Sequence, residues 1–241
     1  MRWRRIAAIA TLVILVIGIG LAYRFLAPQG PPGPAESVVY NGQTWTVFRP
    51  ELYDVAVEGT TIRLTLLTAA RWAGNGQAGL VYRDVTGNFK ATASVQTRKA
   101  SAPSEPVSSL VSLGGLSARN PQGADVGSTE NYVHIVAGNT PSGIGVETKT
   151  TVNGATSYEA VPSASGDSDL RICRIGTIFR LYKRPVGSDV WILAATYDRP
   201  DLPPTLQVGG NIYSVLLPDL QVVFDGLQIA GVEELAACEQ D

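Results

Sequence analysis

The chain has 241 residues, 45% of them hydrophobic and 17% charged, with a formal net charge of −2, which suits one large globular domain with an appendage and excludes a disordered polyelectrolyte. Arg2, Arg4, Arg5 and Arg24 lie in or beside an N-terminal apolar run; setting them aside leaves 15 basic residues against 21 acidic ones. That remainder is acidic and has no Lys/Arg cluster, so it lacks the electrostatic footprint of a nucleic-acid-binding protein.

Ile6–Tyr23 is an uncharged apolar run of 18 residues, about 27 Å long as a helix, enough to cross a thin bilayer core. Three arginines precede it and one follows, a bias that leaves the N-terminus in the cytoplasm and places the rest outside. Trp3 and Tyr23 stand where interfacial aromatics are favoured. A cleavable signal peptide is the rival reading, because Gly20-Leu21-Ala22 offers small residues before a cut. The run stays apolar up to that point, so we read residues 1–24 as an uncleaved signal-anchor; either reading exports the domain. Residues 25–37 form a spacer whose Ala27–Ala35 core, APQGPPGPA, cannot build a helix or a central strand.

From residue 38 to 231, short strand-like runs recur between turn residues. The clearest is Phe89–Gln96, with Phe89, Ala91, Ala93 and Val95 on one face and Lys90, Thr92, Ser94 and Gln96 on the other. Asp169–Trp191 reads as a meander: Leu170 and Ile172 alternate with Arg171 and Cys173, Gly176 makes the reversal, and Phe179 and Leu181 alternate with Arg180 and Tyr182. The expected strand Val190–Thr196 puts Trp191 and Leu193 in the core. Many evenly spaced strands with no amphipathic helix between them predict an all-β antiparallel sandwich. Within a tail at 232–241, Val232–Cys238 reads as weakly helical, either a short surface turn or a frayed end. Cys173 and Cys238 either pair as a disulfide in an oxidising compartment or stay two thiols, and their spacing does not decide which.

Six segments in order carry a resemblance: GLVYRDVTGNFKATASVQ, LGGLSARNP, NYVHIVAGN, ETKTTVNGATSY, LRICRIGTIFRLYKRPVGSDVW and LQVVFDGLQI. Their order and spacing, from about Thr44 to Ile229, resemble the domain of unknown function 1349 family within the concanavalin A-like lectin/glucanase superfamily. The resemblance implies a jelly-roll β-sandwich of two curved sheets, with a concave face where relatives in the superfamily bind or cut glycans. By the same analogy a structural calcium ion is an open possibility, with Asp225 at a commonly acidic position; no cofactor is otherwise implied.

Catalytic patterns are missing. A glycosidase sets two carboxylates about 5–9.5 Å apart across the scissile bond. Glu147 has no acidic partner two residues away, Glu130 stands alone, Asp167 and Asp169 occupy a Ser/Gly-rich turn, and Glu233-Glu234 lies in the tail. His134 is the single imidazole, with no GxSxG elbow to serve. GNGQAG at 74–79 lacks the lysine of a phosphate loop and reads as a surface loop. What remains is binding. Alternation puts Tyr132 and His134, Glu147 and Lys149, and Arg180 and Tyr182 opposite the buried set, and Trp72, in a loop-like stretch beside Arg71, is either an exposed aromatic or a loop tryptophan folded back onto the sandwich. Together they compose a polar and aromatic patch suited to sugars, if their strands are neighbours in one sheet. The plainer alternative is the solvent side of a sheet. The expectation is therefore a membrane-anchored extracytoplasmic sandwich, non-catalytic, binding a glycan or other surface ligand. A carbohydrate-active enzyme and a protein-interaction domain are the rivals. Tyr132→Ala and Tyr182→Ala are expected to remove ligand retention without unfolding the domain.

Overall fold

A computed structural model describes residues 36–121 and 129–241. In chain order the strands are β1 (Glu36–Tyr40), β2 (Gln43–Phe48), β3 (Tyr53–Glu58), β4 (Thr61–Leu66), β5 (Gly79–Thr86), β6 (Phe89–Arg98), β7 (Ser112–Arg119), β8 (Tyr132–Thr140), β9 (Gly143–Val152), β10 (Ala155–Pro162), β11 (Ser168–Ile175), β12 (Ile178–Arg184), β13 (Ile192–Asp198), β14 (Thr205–Ser214) and β15 (Gln221–Gly231). They form an eight-stranded sheet, β1-β2-β5-β14-β7-β8-β9-β10, and a seven-stranded sheet, β13-β12-β11-β6-β15-β4-β3. Neighbouring strands pair antiparallel throughout, as in β14 with β7 and β11 with β6. The chain changes sheet repeatedly, from β4 to β5, β5 to β6 and β6 to β7, so late strands β14 and β15 insert between early ones. This is the expected all-β two-sheet sandwich with jelly-roll crossings.

Period-two alternation decides which side chains meet between the sheets. Phe89, Ala91, Ala93 and Val95 of β6 are buried, while Lys90, Thr92, Ser94 and Gln96 are only half-buried. Across the gap lie Val133, Ile135 and Ala137 of β8 and Val208 and Ile212 of β14. The sheets approach closely at two glycines. A Cβ on Gly114 would meet the Val222 side chain at 2.3 Å, and one on Gly210 would meet the Phe224 ring at 2.9 Å. The predicted meander is the β11–β12 hairpin, whose reversal at Gly176 has φ +59°, a conformation glycine adopts without a Cβ penalty.

Two expectations need correction. The first strand begins at Glu36, inside the expected spacer, because β1 finds a partner in β2 (Val38 opposite Trp45). Strand β13 begins at Ile192 and its Leu193 is about half exposed, while Trp191 lies outside the core under two arginines. Of the two readings of Val232–Cys238, the structure has the turn, a 3₁₀ turn at Leu235–Cys238 tied to β11 by a Cys173–Cys238 disulfide with Cα atoms 5.7 Å apart. The Ile6–Tyr23 anchor and the Ala27–Ala35 spacer lie outside the described residues.

Candidate functional site

The core-facing parity of β7, β8 and β14 fixes what their other face carries. By register, His134 of β8 is opposite Ser117 of β7 and Lys149 of β9, and Tyr132 is opposite Arg119. Asn211 of β14 is opposite Gly115, and Ser117 is opposite Gly209. Arg119, Tyr132, His134, Glu147, Lys149, Asn211 and Tyr213 thus share the outer face of the eight-stranded sheet, and all are buried.

They are buried because the β4–β5 connection, residues 67–78, lies over them. Trp72 is its centre and is fully buried. Its ring meets Tyr132 and His134 edge-on at 5.5 and 5.4 Å and stacks against Phe48 at 6.3 Å. Tyr132 and His134 stack on each other at 4.0 Å. Polar contacts hold the connection down at both ends. The Trp72 carbonyl accepts from Lys149 Nζ at 3.1 Å, the Gly74 amide donates to Thr156 Oγ1 at 3.1 Å, and Gln77 Nε2 donates to Glu130 Oε1 at 2.7 Å. An isolated bridge pairs Ala70 with Ser214.

Charges beneath this roof come in pairs. Arg119 Nε and Nη2 donate to the two oxygens of Glu130 at 2.8 and 2.6 Å, a fork-to-fork geometry that suits guanidinium and carboxylate. Lys149 Nζ is 2.9 Å from Glu147 Oε1 and donates to the Tyr213 hydroxyl at 2.8 Å, while that hydroxyl donates to Glu147 at 3.1 Å. Burial pushes the Lys149 ammonium below its ordinary range, against the pull of Glu147. Burial, with Glu147 beside it, holds the Tyr213 phenol well above its usual value, and burial raises Tyr132 to about 12. His134 is held well below the usual imidazole range, first by burial and then by the Lys149 and Arg119 charges, so the ring is neutral at pH 7.

Between these pairs lies a set of buried polar atoms without partners among the described residues: both ring nitrogens of His134, both amide atoms of Asn211, Ser117 Oγ and Trp72 Nε1. An unsatisfied buried donor or acceptor costs about 1–3 kcal/mol. Neutral imidazole, carboxamide and hydroxyl each accept and donate. The set therefore complements groups that do both, as a sugar hydroxyl does.

Of the seven predicted binding residues, Trp72, Tyr132, His134, Glu147 and Lys149 converge here, although as a roofed cluster and not as a solvent face. Arg180 and Tyr182 do not join them. They belong to β12 in the other sheet, where both approach Glu239, at 3.4 Å each. Tyr132 and Tyr182 are both buried, so their removal would leave cavities, contrary to the expectation of harmless alanine variants. Sequence reasoning missed Asn211, Ser117, Tyr213, Arg119 and Glu130. A usable signal was the parity of QVGGNIYS, in which Gln207, Gly209, Asn211 and Tyr213 alternate with Val208, Gly210 and Ile212 and so put polar groups on the face away from the core. Asp225, the residue linked by analogy to calcium, accepts from Thr60 Oγ1 at 2.8 Å at an exposed position. Among the described residues no group of three or more His, Cys, Asp or Glu side chains is placed to hold a metal ion.

No family model matches the chain, and no curated protein does. Solved structures do. A functionally unknown protein from Saccharomyces cerevisiae superposes with a TM-score of 0.58 at 16% identity, covering 75% of this chain and 93% of that one. A xylan β-1,4-xylosidase from Bacillus halodurans gives 0.60 at 16% identity over 86% of this chain but 38% of its own. Arcelin-5, a lectin-like defence protein from Phaseolus vulgaris, gives 0.52 at 10% identity over 84% of this chain and all of its own. At such identities the likeness is one of fold: the chain has the two-sheet sandwich of lectin-like and xylosidase structures.

Proposed function

We propose that this protein is an exported, membrane-anchored sandwich that binds a neutral glycan, without cleaving it, on the outer face of the eight-stranded sheet beneath Trp72. The observation that carries the reading is the set of unpartnered atoms on His134, Asn211, Ser117 and Trp72. A pyranose satisfies them with hydroxyls that donate and accept, while its C–H face rests on the aromatic rings. The ligand is neutral because the cations under the roof are already matched by carboxylates, Arg119 by Glu130 and Lys149 by Glu147. The same pairing supports binding over hydrolysis, since a glycosidase needs one carboxyl group free to protonate a leaving oxygen and another free to attack or to activate water. Entry requires residues 67–78 to swing out, which breaks the contacts of the Trp72 carbonyl with Lys149, of Gly74 with Thr156 and of Gln77 with Glu130. The Cys173–Cys238 disulfide supports an oxidising compartment, and with it export behind the Ile6–Tyr23 anchor. The ordered motifs resembling the domain of unknown function 1349 family, and the lectin-like fold, agree with recognition.

The test is a glycan array probed with the full-length chain and with Asn211→Ala. The wild type retains one or more neutral glycans, and the variant loses at least tenfold in affinity. An array with no wild-type hits, or equal binding by Asn211→Ala, refutes the reading.

A further inference from the structure

The outer face of the seven-stranded sheet carries a second constellation. Register places Lys90 beside Cys173, and Arg171 beside Tyr182. Arg180 and Arg184 of β12 share this face, so Lys90, Arg171, Arg180 and Arg184 bring four cations together, with Asp169 as their acidic neighbour. Across them lies the segment after β15, whose acidic residues are Glu233, Glu234, Glu239 and Asp241.

The contacts read the segment's main chain as well as its carboxylates. Arg171 Nη1 donates to the Cys238 carbonyl at 2.7 Å, and Lys90 Nζ donates to the carbonyls of Ala237 at 3.3 Å and Gln240 at 2.7 Å. One carboxylate is clamped from three sides: Asp241 accepts from Arg171 Nη2 at 2.9 Å, Arg184 Nη1 at 2.9 Å and Trp191 Nε1 at 2.8 Å. Glu239 accepts from Arg180 and from the Tyr182 hydroxyl, both at 3.4 Å.

The clamp is braced by the sheet itself. Arg171 gives its Nε to Thr92 Oγ1 at 3.2 Å, and Arg184 gives its Nε to Asp169 Oδ2 at 2.8 Å. Both guanidiniums rest over the Trp191 ring, 3.9 and 4.3 Å from its centroid. Each arginine thus keeps one edge for the neighbouring strand, β6 for Arg171 and β11 for Arg184, and offers the other outward, a preorganised fork for a carboxylate. Exposure divides the two sides: the Arg171 side chain is 1% exposed, whereas those of Asp241 and Glu239 are 62% exposed. Arg171 at the centre of the receiving face is buried and Arg184 beside it is 17% exposed, whereas the received carboxylates lie at the surface, where another segment can replace them.

We propose that this face is a recognition site for acidic peptide segments, and that residues 232–241 are the ligand it holds in cis, tethered by Cys238. The tether keeps the local concentration of the cis segment high, so a competing peptide gains access only when that segment is displaced.

The experiment uses a labelled nonapeptide with the sequence of residues 233–241, serine replacing Cys238, and reads fluorescence anisotropy against the full-length chain. Two variants open the site: Glu239→Arg/Asp241→Arg, which keeps the disulfide, and the same pair with Cys173→Ser/Cys238→Ser, which removes the tether. Both are checked for folding by near-UV circular dichroism. The peptide binds the opened variants at least tenfold more tightly than the wild type. Binding weakens as salt is raised, and it is lost on adding Arg184→Ala or on replacing the peptide's carboxylates by amides. If the doubly substituted, disulfide-bonded variant folds and binds no better than the wild type, or if the amidated peptide binds as well, the proposal falls.

Discussion

Trp72→Phe separates a ligand-ready roof from an ordinary core plug. Trp72 is fully buried against Phe48, Tyr132 and His134, so Trp72→Ala should cost about 3–5 kcal/mol, the range for a large aromatic removed from a packed interior. Phenylalanine keeps the six-membered ring and loses two carbons and the indole nitrogen. At about 0.8 kcal/mol per buried carbon the lost burial amounts to about 1.6 kcal/mol. Against this, Nε1 has no partner among the described residues, and removing an unsatisfied buried donor returns about 1–3 kcal/mol. The two effects nearly cancel, so the variant's stability should lie within about 1 kcal/mol of the wild type. Urea unfolding followed by far-UV circular dichroism measures both variants, with an unchanged slope showing that the unfolded states are comparable. If Trp72→Phe proves as damaging as Trp72→Ala, Nε1 is satisfied in the free protein and the unpartnered site beneath it does not exist.

Three further outcomes follow from the same contacts. His134 is neutral in the fold, with its proton affinity held well below that of a free imidazole. The unfolded chain therefore takes up a proton that the folded one refuses as pH falls below about 6.5, and stability should drop by up to about 2 kcal/mol between pH 6.5 and 5. His134→Gln should flatten that part of the profile in urea melts. The Cys173–Cys238 bond spans 65 residues, so its loss in Cys173→Ser/Cys238→Ser should cost about 4 kcal/mol by loop-closure entropy, read as a lowered denaturation midpoint. Asp241 is held down to about 2 by Trp191, Arg184 and Arg171. Its contribution to tail docking is complete above about pH 4 and is lost as pH falls toward 2; Trp191 emission should change over that window, and Asp241→Asn should abolish the change.

Much of the architecture is legible in alternation because each strand has one face toward the opposite sheet. Phe89 to Val95 and Phe179 with Leu181 are read correctly for that reason. Alternation reports which side a residue faces and not what covers it. Tyr132, His134, Glu147 and Lys149 are correctly assigned away from the inter-sheet core, yet they are buried, because a connection whose sequence reads as a surface loop folds back over them. Arg180 and Tyr182 show a second limit. They have the right parity but sit in the other sheet, since sheet membership is settled by long-range pairings such as β11 with β6. Trp191 shows a third: two arginines and a carboxylate on the outer face give an aromatic a place that no local pattern announces.

The measurement that bears most directly on the binding site is the indole ¹H–¹⁵N spectrum of the ¹⁵N-labelled chain, titrated with neutral oligosaccharides at millimolar concentration. Trp72 is assigned by its absence in Trp72→Phe, and Trp191 serves as an internal control on the opposite sheet. A saturable shift of the Trp72 signal, with Trp191 unmoved, is the predicted result. A Trp72 signal that stays fixed for every sugar tried, or a response confined to Trp191, would contradict it.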